Sequence, residues 1–245
     1  MDTKVTTVSA TDLDSPCEGC GLLAWAQSTQ TTSLPAQIAK DINQAITHNH
    51  AILRGRYLVR AGTAFKSVFA LHSGLLKNTV TTSGGLEQVT GFVLPGDPVG
   101  LGGLGNGTHI CNTLAIEDSR VCAISFAELE RLCHLVPAMQ HHFHRILGKA
   151  IAEDCGLMLL LGSMNAGQRI AYFLLNLSAR YAARKFSGTR FRLRMSRQEM
   201  GSYLGLKLET VSRMLTQFKR EGLIALENRE VEIKNVNGLR RRLDQ

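Results

Sequence analysis

The stretch Ser196-Arg197-Gln198-Glu199-Met200-Gly201-Ser202-Tyr203-Leu204-Gly205-Leu206-Lys207-Leu208-Glu209-Thr210-Val211-Ser212-Arg213-Met214-Leu215 decides the fold. It reads as two short amphipathic helices around a tight turn at Gly205. Ser196 is a good N-cap, and Glu199 three positions on completes a capping box. Met200, Tyr203 and Leu204 make the apolar side of the first helix, and glycine at 205 admits the backbone conformation that other residues resist. Val211, Met214, Leu215 and Phe218 anchor the second helix, which leaves Lys207, Glu209, Thr210, Ser212, Arg213 and Thr216 facing outward. Arginine bonds guanine bidentately, glutamate accepts from cytosine N4, and serine bonds a base or a phosphate. Arg197 and Lys207 suit phosphate contacts, which position rather than specify. An ordinary αα-hairpin with a charged surface shares this pattern. The segment that follows tells against it: residues 222–233 alternate around Asn228-Arg229 and predict a β-hairpin, the wing of a winged helix-turn-helix.

The composition agrees with a DNA-facing protein. The chain has 245 residues, 44% of them hydrophobic, enough for one large domain or two ordinary ones. Its net charge of +8 points to a polyanionic partner. The charge is concentrated around the opening motif, where residues 190–221 hold eight basic side chains against three acidic ones. Residues 1–10 are polar and lack the apolar stretch of a signal peptide, and no apolar run is long enough to span a bilayer, so the expected location is the cytoplasm with no membrane partner. Its six cysteines are then expected to be reduced thiols or metal ligands rather than disulfides.

Further out, residues 1–33 are rich in Thr and Ser around a Cys17-Glu18-Gly19-Cys20 island, and residues 34–48 suit a short helix. From Ala51 to about Phe126, short apolar runs punctuated by glycine predict an antiparallel β-roll. The glycine-rich residues 100–107 read as a loop and not as a phosphate loop, because no Gly-Lys-Ser/Thr follows. The signal turns helical at Glu128, and Pro137 fits the first turn of a long helix running to about Leu161. Leu147, Ile151, Asp154, Met158 and Leu161 recur at coiled-coil spacing and predict a dimer seam with one acidic residue inside it. A helix packed only on its own domain fits the same spacing. Two facing Asp154 carboxylates repel, so such a dimer needs stabilisation from elsewhere. Ile170, Phe173, Leu174 and Leu177 share a face of a further helix over residues 166–180, and Arg240-Arg241-Arg242 reads as a solvated basic tail. The expected fold is α+β, divided into a cysteine-containing segment (1–33), a β-roll sensor (34–136), a dimerisation helix (137–163) and a winged helix-turn-helix (164–245).

These residues resemble the CRP/FNR family of transcription regulators, and within it the FNR branch of oxygen sensors. The resemblance rests on Phe69-Ala70-Leu71-His72-Ser73-Gly74, Gln88-Val89-Thr90-Gly91-Phe92, Asn176-Leu177-Ser178-Ala179-Arg180, Tyr203-Leu204-Gly205-Leu206 and Glu209-Thr210-Val211-Ser212-Arg213. It implies that Glu209, Ser212 and Arg213 read a TTGAT half-site, and that a homodimer binds a TTGAT-N4-ATCAA palindrome with RNA polymerase as a further partner. It also implies that Asp154 is the acidic dimer-helix residue that keeps the cluster-free protein largely monomeric. Cyclic-nucleotide binding, the rival within the family, is not expected. The comparable region is Gly96-Asp97-Pro98-Val99-Gly100, and no Arg-Ala-Ser/Thr follows before Cys122.

The branch resembles itself in a [4Fe–4S] cluster held by three N-terminal cysteines and one in the roll. Cys17 and Cys20 match the first two and Cys122 the last, but Ala26 stands where the third N-terminal cysteine belongs. Three readings stay open. A cluster forms with a fourth ligand from Cys111, on the strand leading to the turn before Cys122, or from an oxygen donor such as Asp14 or Glu18. The cysteines instead bind zinc or switch as thiols. Or the sensor is degenerate and DNA binding needs no cluster. Cys133 and Cys155 read as small buried apolar residues. A dithiol enzyme using Cys17 and Cys20 is disfavoured, because Cys-Glu-Gly-Cys sits in a polar leader and no cofactor fingerprint or nucleophile–base pair accompanies it. A module whose helix-turn-helix makes only protein contacts would lack salt-dependent DNA binding.

Overall fold

A computed structural model describes residues 41–42 and 44–244. The expectations placed on residues 1–33, among them Asp14, Glu18, Cys17, Cys20 and position 26, lie outside the described residues, as does most of the 34–48 helix. The chain divides into two compact units between Lys149 and Ala150. Among the described residues no helix is long and apolar enough to cross a membrane.

The first unit is built on β1 (Ile46–Ile52), β2 (Tyr57–Val59), β3 (Ser67–Ser73), β4 (Leu76–Thr81), β5 (Glu87–Val93), β6 (Pro98–Val99), β7 (Asn112–Ala115) and β8 (Ser119–Ser125). They pair antiparallel in two four-stranded sheets, ordered β1-β8-β3-β6 and β2-β7-β4-β5. The strand region opens at Ile46, earlier than the pattern predicts. The reason is a register shift against β8 between Thr47 and His50, where Asn49 takes a left-handed φ of 63° and breaks the alternation.

β3 is apolar on both faces. Val68 and Ala70 join Cys122 and Ile124 of β8 in one core, while Leu71 joins Val121, Leu76 and Val93 in the core between the sheets. A sheet covered on both sides explains why Val68-Phe69-Ala70-Leu71 reads as a continuous apolar run. The outer cover is α1 (Phe126–Leu135), through Leu129 and Leu132, and the start of α2 (Pro137–Ser163), through Met139. Ser125 caps α1, its Oγ accepting from the Glu128 amide at 3.2 Å.

The second unit holds the last turns of α2, then α3 (Ala166–Ala183), β9 (Arg190–Arg192), α4 (Arg197–Leu204), α5 (Leu208–Arg220), β10 (Ile224–Glu227), β11 (Glu230–Ile233) and α6 (Val236–Arg241). Ile170, Phe173, Leu174 and Leu177 of α3 are buried as their spacing predicts. Leu204, Leu215, Phe218 and Val231 are likewise buried in this unit. β10 and β11 pair as the expected hairpin, and β9 completes a three-stranded sheet on β11. Arg240-Arg241-Arg242 is not a loose tail. Two of the three end α6, and Arg242 donates to Glu221 at 2.6 Å.

Candidate nucleic-acid interface

The helix-turn-helix assembles through local chemistry. Ser196 Oγ accepts from the Glu199 amide at 3.1 Å and Glu199 Oε2 accepts from the Ser196 amide at 2.8 Å, which satisfies two orphan donors at the start of α4. Gly205 ends α4 in the left-handed region, with φ 62°. Gly201, to which the sequence reading gave no role, permits the close approach of the two helices. A Cβ there would sit 2.5 Å from the Leu206 carbonyl oxygen. A glycine inside a helical pattern costs about 1 kcal/mol against alanine, and that cost is the signal that could have flagged it.

Burial then orients α5. Val211, Leu215 and Phe218 are fully buried. The opposite side presents Lys207, Glu209, Arg213 and Thr216 to solvent, with Thr210 and Ser212 half-buried beside them. Glu209 and Arg213 lie one turn apart, and among the described residues neither side chain makes a hydrogen bond or ion pair. Lys207 occupies the N-cap position without using its side chain as a cap. A shallow depression lined by Ser212, Arg213, Thr216, Gln217 and Arg220 continues the same face. Leu208, 44% exposed in the first turn of α5, adds an apolar group of the kind that contacts thymine methyls; its apolar character hid it from the sequence reading.

Arg197 is half-buried, and burial first, then the nearby Arg229 cation, pulls its guanidinium below its ordinary value. It stays charged, and the crowding of two cations favours an anion beside them. Arg229 lies in the wing turn after Asn228, which takes φ 53°, and its side chain also reaches the Arg194 carbonyl at 3.4 Å. Sequence alone did not single it out, since nothing in the spacing of 197 and 229 shows that the hairpin returns to the start of α4. Tyr203 packs against Phe173 with ring centroids 5.9 Å apart, and burial, then Tyr172, pushes its phenol up to about 12. It serves to pack α4 on α3 and not as a titrating group.

The expected seam residues differ in how far this chain covers them. Ile151 and Met158 are each 65% exposed, Asp154 is exposed, and Leu147 and Leu161 are half-buried. Cys155, expected to be buried, is exposed because it lies on the same side of α2 as Ile151 and Met158. Cys133 is half-buried, and burial pushes its thiol up.

Cys122 is completely buried in the core between β8, β3, α1 and the start of α2, with Ile42 and Ile46 as neighbours. Cys111 lies one residue before β7. β7 and β8, the consecutive strands that follow Cys111 and carry Cys122, pair in different sheets. Among the described residues no three metal-ligating side chains gather. Cys122 and Cys111 are thus the candidate thiols within the described residues, and the further donors of a cluster would come from outside them.

The comparisons with known proteins agree with this geometry. Residues 168–242 match the model of the Crp-like helix-turn-helix domain, and residues 50–135 match that of the cyclic nucleotide-binding domain. The chain is 42% identical over 217 residues to the transcriptional activator protein anr of Pseudomonas aeruginosa, covering 89% of this chain and 88% of that one. It is 36% identical over 223 residues to the fumarate and nitrate reduction regulatory protein of Salmonella typhimurium, covering 91% and 88%. Among solved structures, FixK2 from Bradyrhizobium japonicum superposes with a TM-score of 0.72 at 27% identity, covering 80% of this chain and 96% of that one.

Proposed function

The chain belongs to the FNR branch of the CRP/FNR family of transcription regulators, which are DNA-binding proteins and not enzymes, and from that premise we propose that it is an oxygen- or redox-responsive regulator reading an FNR-type palindrome. The observation that carries this reading is the uncommitted row Glu209, Ser212 and Arg213 on the solvent side of α5. On a TTGAT-N4-ATCAA duplex, Arg213 reads guanine, Glu209 accepts from cytosine, and Ser212 and Thr210 complete the base-facing row. Arg197, Lys207 and the wing cation Arg229 hold phosphates. The protein works as a homodimer in the cytoplasm, joined along Leu147, Ile151, Asp154, Met158 and Leu161, and RNA polymerase is its downstream partner. Its working parts are the 1–33 segment, the 34–136 roll, the 137–163 helix and the 164–245 DNA-binding domain.

The signal enters through the cysteines. Cys17, Cys20 and Cys122 would hold a [4Fe–4S] cluster with Cys111 or Asp14 as fourth ligand, and when bound such a cluster supplies an oxygen-labile tie between the N-terminal segment and the roll. The alanine at position 26 supports a second reading, in which the same thiols act as a redox or zinc switch or the protein binds DNA without a cluster. No cyclic nucleotide is involved. Asp97, in the loop comparable to the family's nucleotide site, accepts from the Leu94 amide at 2.8 Å and so closes its own turn.

Anaerobically purified protein tests both levels. Iron and sulfide with a visible absorption that air bleaches support the cluster, whereas colourless, iron-free protein that still binds the palindrome decides for the second reading. Arg213→Ala should cost about 1–3 kcal/mol of specific binding and relax the base preference. Unchanged specificity in that variant removes the base-reading role.

A further inference from the structure

Arg169, in the first turn of α3, is a residue to which neither the motif nor the seam assigns a role. Its guanidinium donates from Nε to the Met164 carbonyl at 2.8 Å and from Nη2 to the Leu161 carbonyl at 2.9 Å. Nη1 donates to the Leu204 carbonyl at 2.8 Å and, at 3.4 Å, to that of Gly205. Leu161 lies in the last turn of α2 and Met164 just beyond it, while Leu204 and Gly205 end α4. Carbonyls at helix C-termini lack intrahelical partners, and a cation is favoured beside them. One planar fork thus closes two helix ends at once, a geometry that a lysine ammonium cannot reproduce.

Gly205 makes the junction tighter. A Cβ there would lie 3.0 Å from Arg169 Nη1 and 3.2 Å from Leu161 Cδ2, so the turn of the helix-turn-helix packs directly on Arg169 and on a seam residue. The reading helix α5 starts at Leu208, three residues beyond that turn. We propose that Arg169 is a positioning residue that locks the end of the dimer helix to the helix-turn-helix and so fixes the separation of the two recognition helices. In a symmetric dimer any rotation at this corner occurs twice, and half-sites one helical turn apart tolerate little of it. The inference rests on the dimeric DNA-binding reading above.

The test uses the full chain, purified anaerobically, and duplexes carrying either one half-site or two separated by three, four or five base pairs. The wild type should prefer the four-base spacer by about tenfold or more, as expected of a dimer with fixed half-site spacing. Arg169→Gln should cut that preference to about threefold or less while changing single-half-site affinity by less than about threefold, since no DNA-facing group is touched. Arg169→Lys, which keeps the charge but not the fork, should fall between them. Full spacer discrimination in Arg169→Gln overturns the proposal, and so does an equal loss on every duplex in both variants, the outcome of a merely structural role. If the wild type binds no duplex above unrelated DNA, the regulator reading fails separately. Amide exchange then decides on Arg169, because Arg169→Gln must speed exchange both at the end of α2 and in the 204–206 turn, and unchanged exchange at either end overturns the coupling.

Discussion

Replacing Gly201 by alanine sets two effects of known sign against each other. Alanine inside a helix is favoured over glycine by about 1 kcal/mol. At this position, however, the new methyl would lie 2.5 Å from the Leu206 carbonyl oxygen. An ordinary carbon–oxygen approach is about 3.3 Å or longer, so the carbonyl must retreat by about 0.8 Å. It cannot do so cheaply, because the Leu206 amide donates to the Gly201 carbonyl at 2.9 Å and Leu204 beside it is fully buried. Overpacking of this kind costs about 1–3 kcal/mol, and losing the pinning hydrogen bond adds about 1 kcal/mol. The clash therefore outweighs the propensity gain, for a net loss of about 1–3 kcal/mol. Because α5 starts two residues after Leu206, the displacement passes to the reading helix, and palindrome affinity should fall by about tenfold or more. Gly162→Ala is the internal control: it is also helical, but nothing lies within 4 Å of its Cβ position, so it should be neutral or stabilising by up to about 1 kcal/mol. Urea unfolding followed by far-UV circular dichroism, with gel shifts on the same samples, separates the two variants. A Gly201→Ala protein as stable as Gly162→Ala and binding like the wild type would refute the close-approach argument.

The other expectations rest on equally local features. Arg229→Ala should lower the slope of log affinity against log salt by about 1 without changing base preference, as removal of one phosphate contact requires; an altered preference would show that the wing reads bases. Ser196→Ala should destabilise the DNA-binding unit by about 1 kcal/mol through loss of the capping box, measured by thermal unfolding. Burial in the roll, edge-on to Phe65, holds the His109 imidazole below its ordinary value of 6.5. On acidification the unfolded chain takes up its proton first, so stability is fully present above 6.5 and falls as pH drops from there towards the folded value. His109→Gln should flatten that fall in a pH series of urea midpoints, and an unaltered slope would assign the acid sensitivity elsewhere.

The helices and wing of the DNA-binding unit were legible because their signals are local. Ser196 and Glu199 lie three residues apart, Gly205 marks the turn, and the apolar residues of α5 recur at helical spacing. What escaped was set by contacts between segments distant in sequence. Arg169 meets Leu204 across 35 residues, Arg229 comes to Arg197 only because β11 returns beside β9, and Gly201 matters only through the carbonyl of Leu206. The start of β1 was missed for a different reason: the Asn49 bulge removes the alternation by which a strand is recognised. Cys155 is exposed where burial was expected, because a small apolar residue on a helix does not by itself show which face its own chain covers.

The face of β8 on which Cys122 lies determines what it can influence. Val121 turns into the core between the sheets, whereas Cys122 and Ile124 turn outward beneath α1 and the start of α2. Cys122 therefore shares a core with Met139, against which Phe143 and Ile146 also pack, and the seam begins at the next residue, Leu147. A change of bonding at Cys122 would therefore be felt first where α1 and the start of α2 pack, not in the core between the sheets. Cys122→Ala separates this role from simple packing. Removing one buried sulfur should cost about 1–2 kcal/mol as a small cavity, which leaves the chain folded. Cys122→Ser should cost about 1–3 kcal/mol, because it buries a hydroxyl among apolar side chains. If Cys122 is a ligand, both variants lose the bound iron and the air-sensitive step in DNA binding together, despite their different stabilities. If iron content and air response survive in Cys122→Ala, Cys122 is only a core residue, and the signal must enter the chain elsewhere.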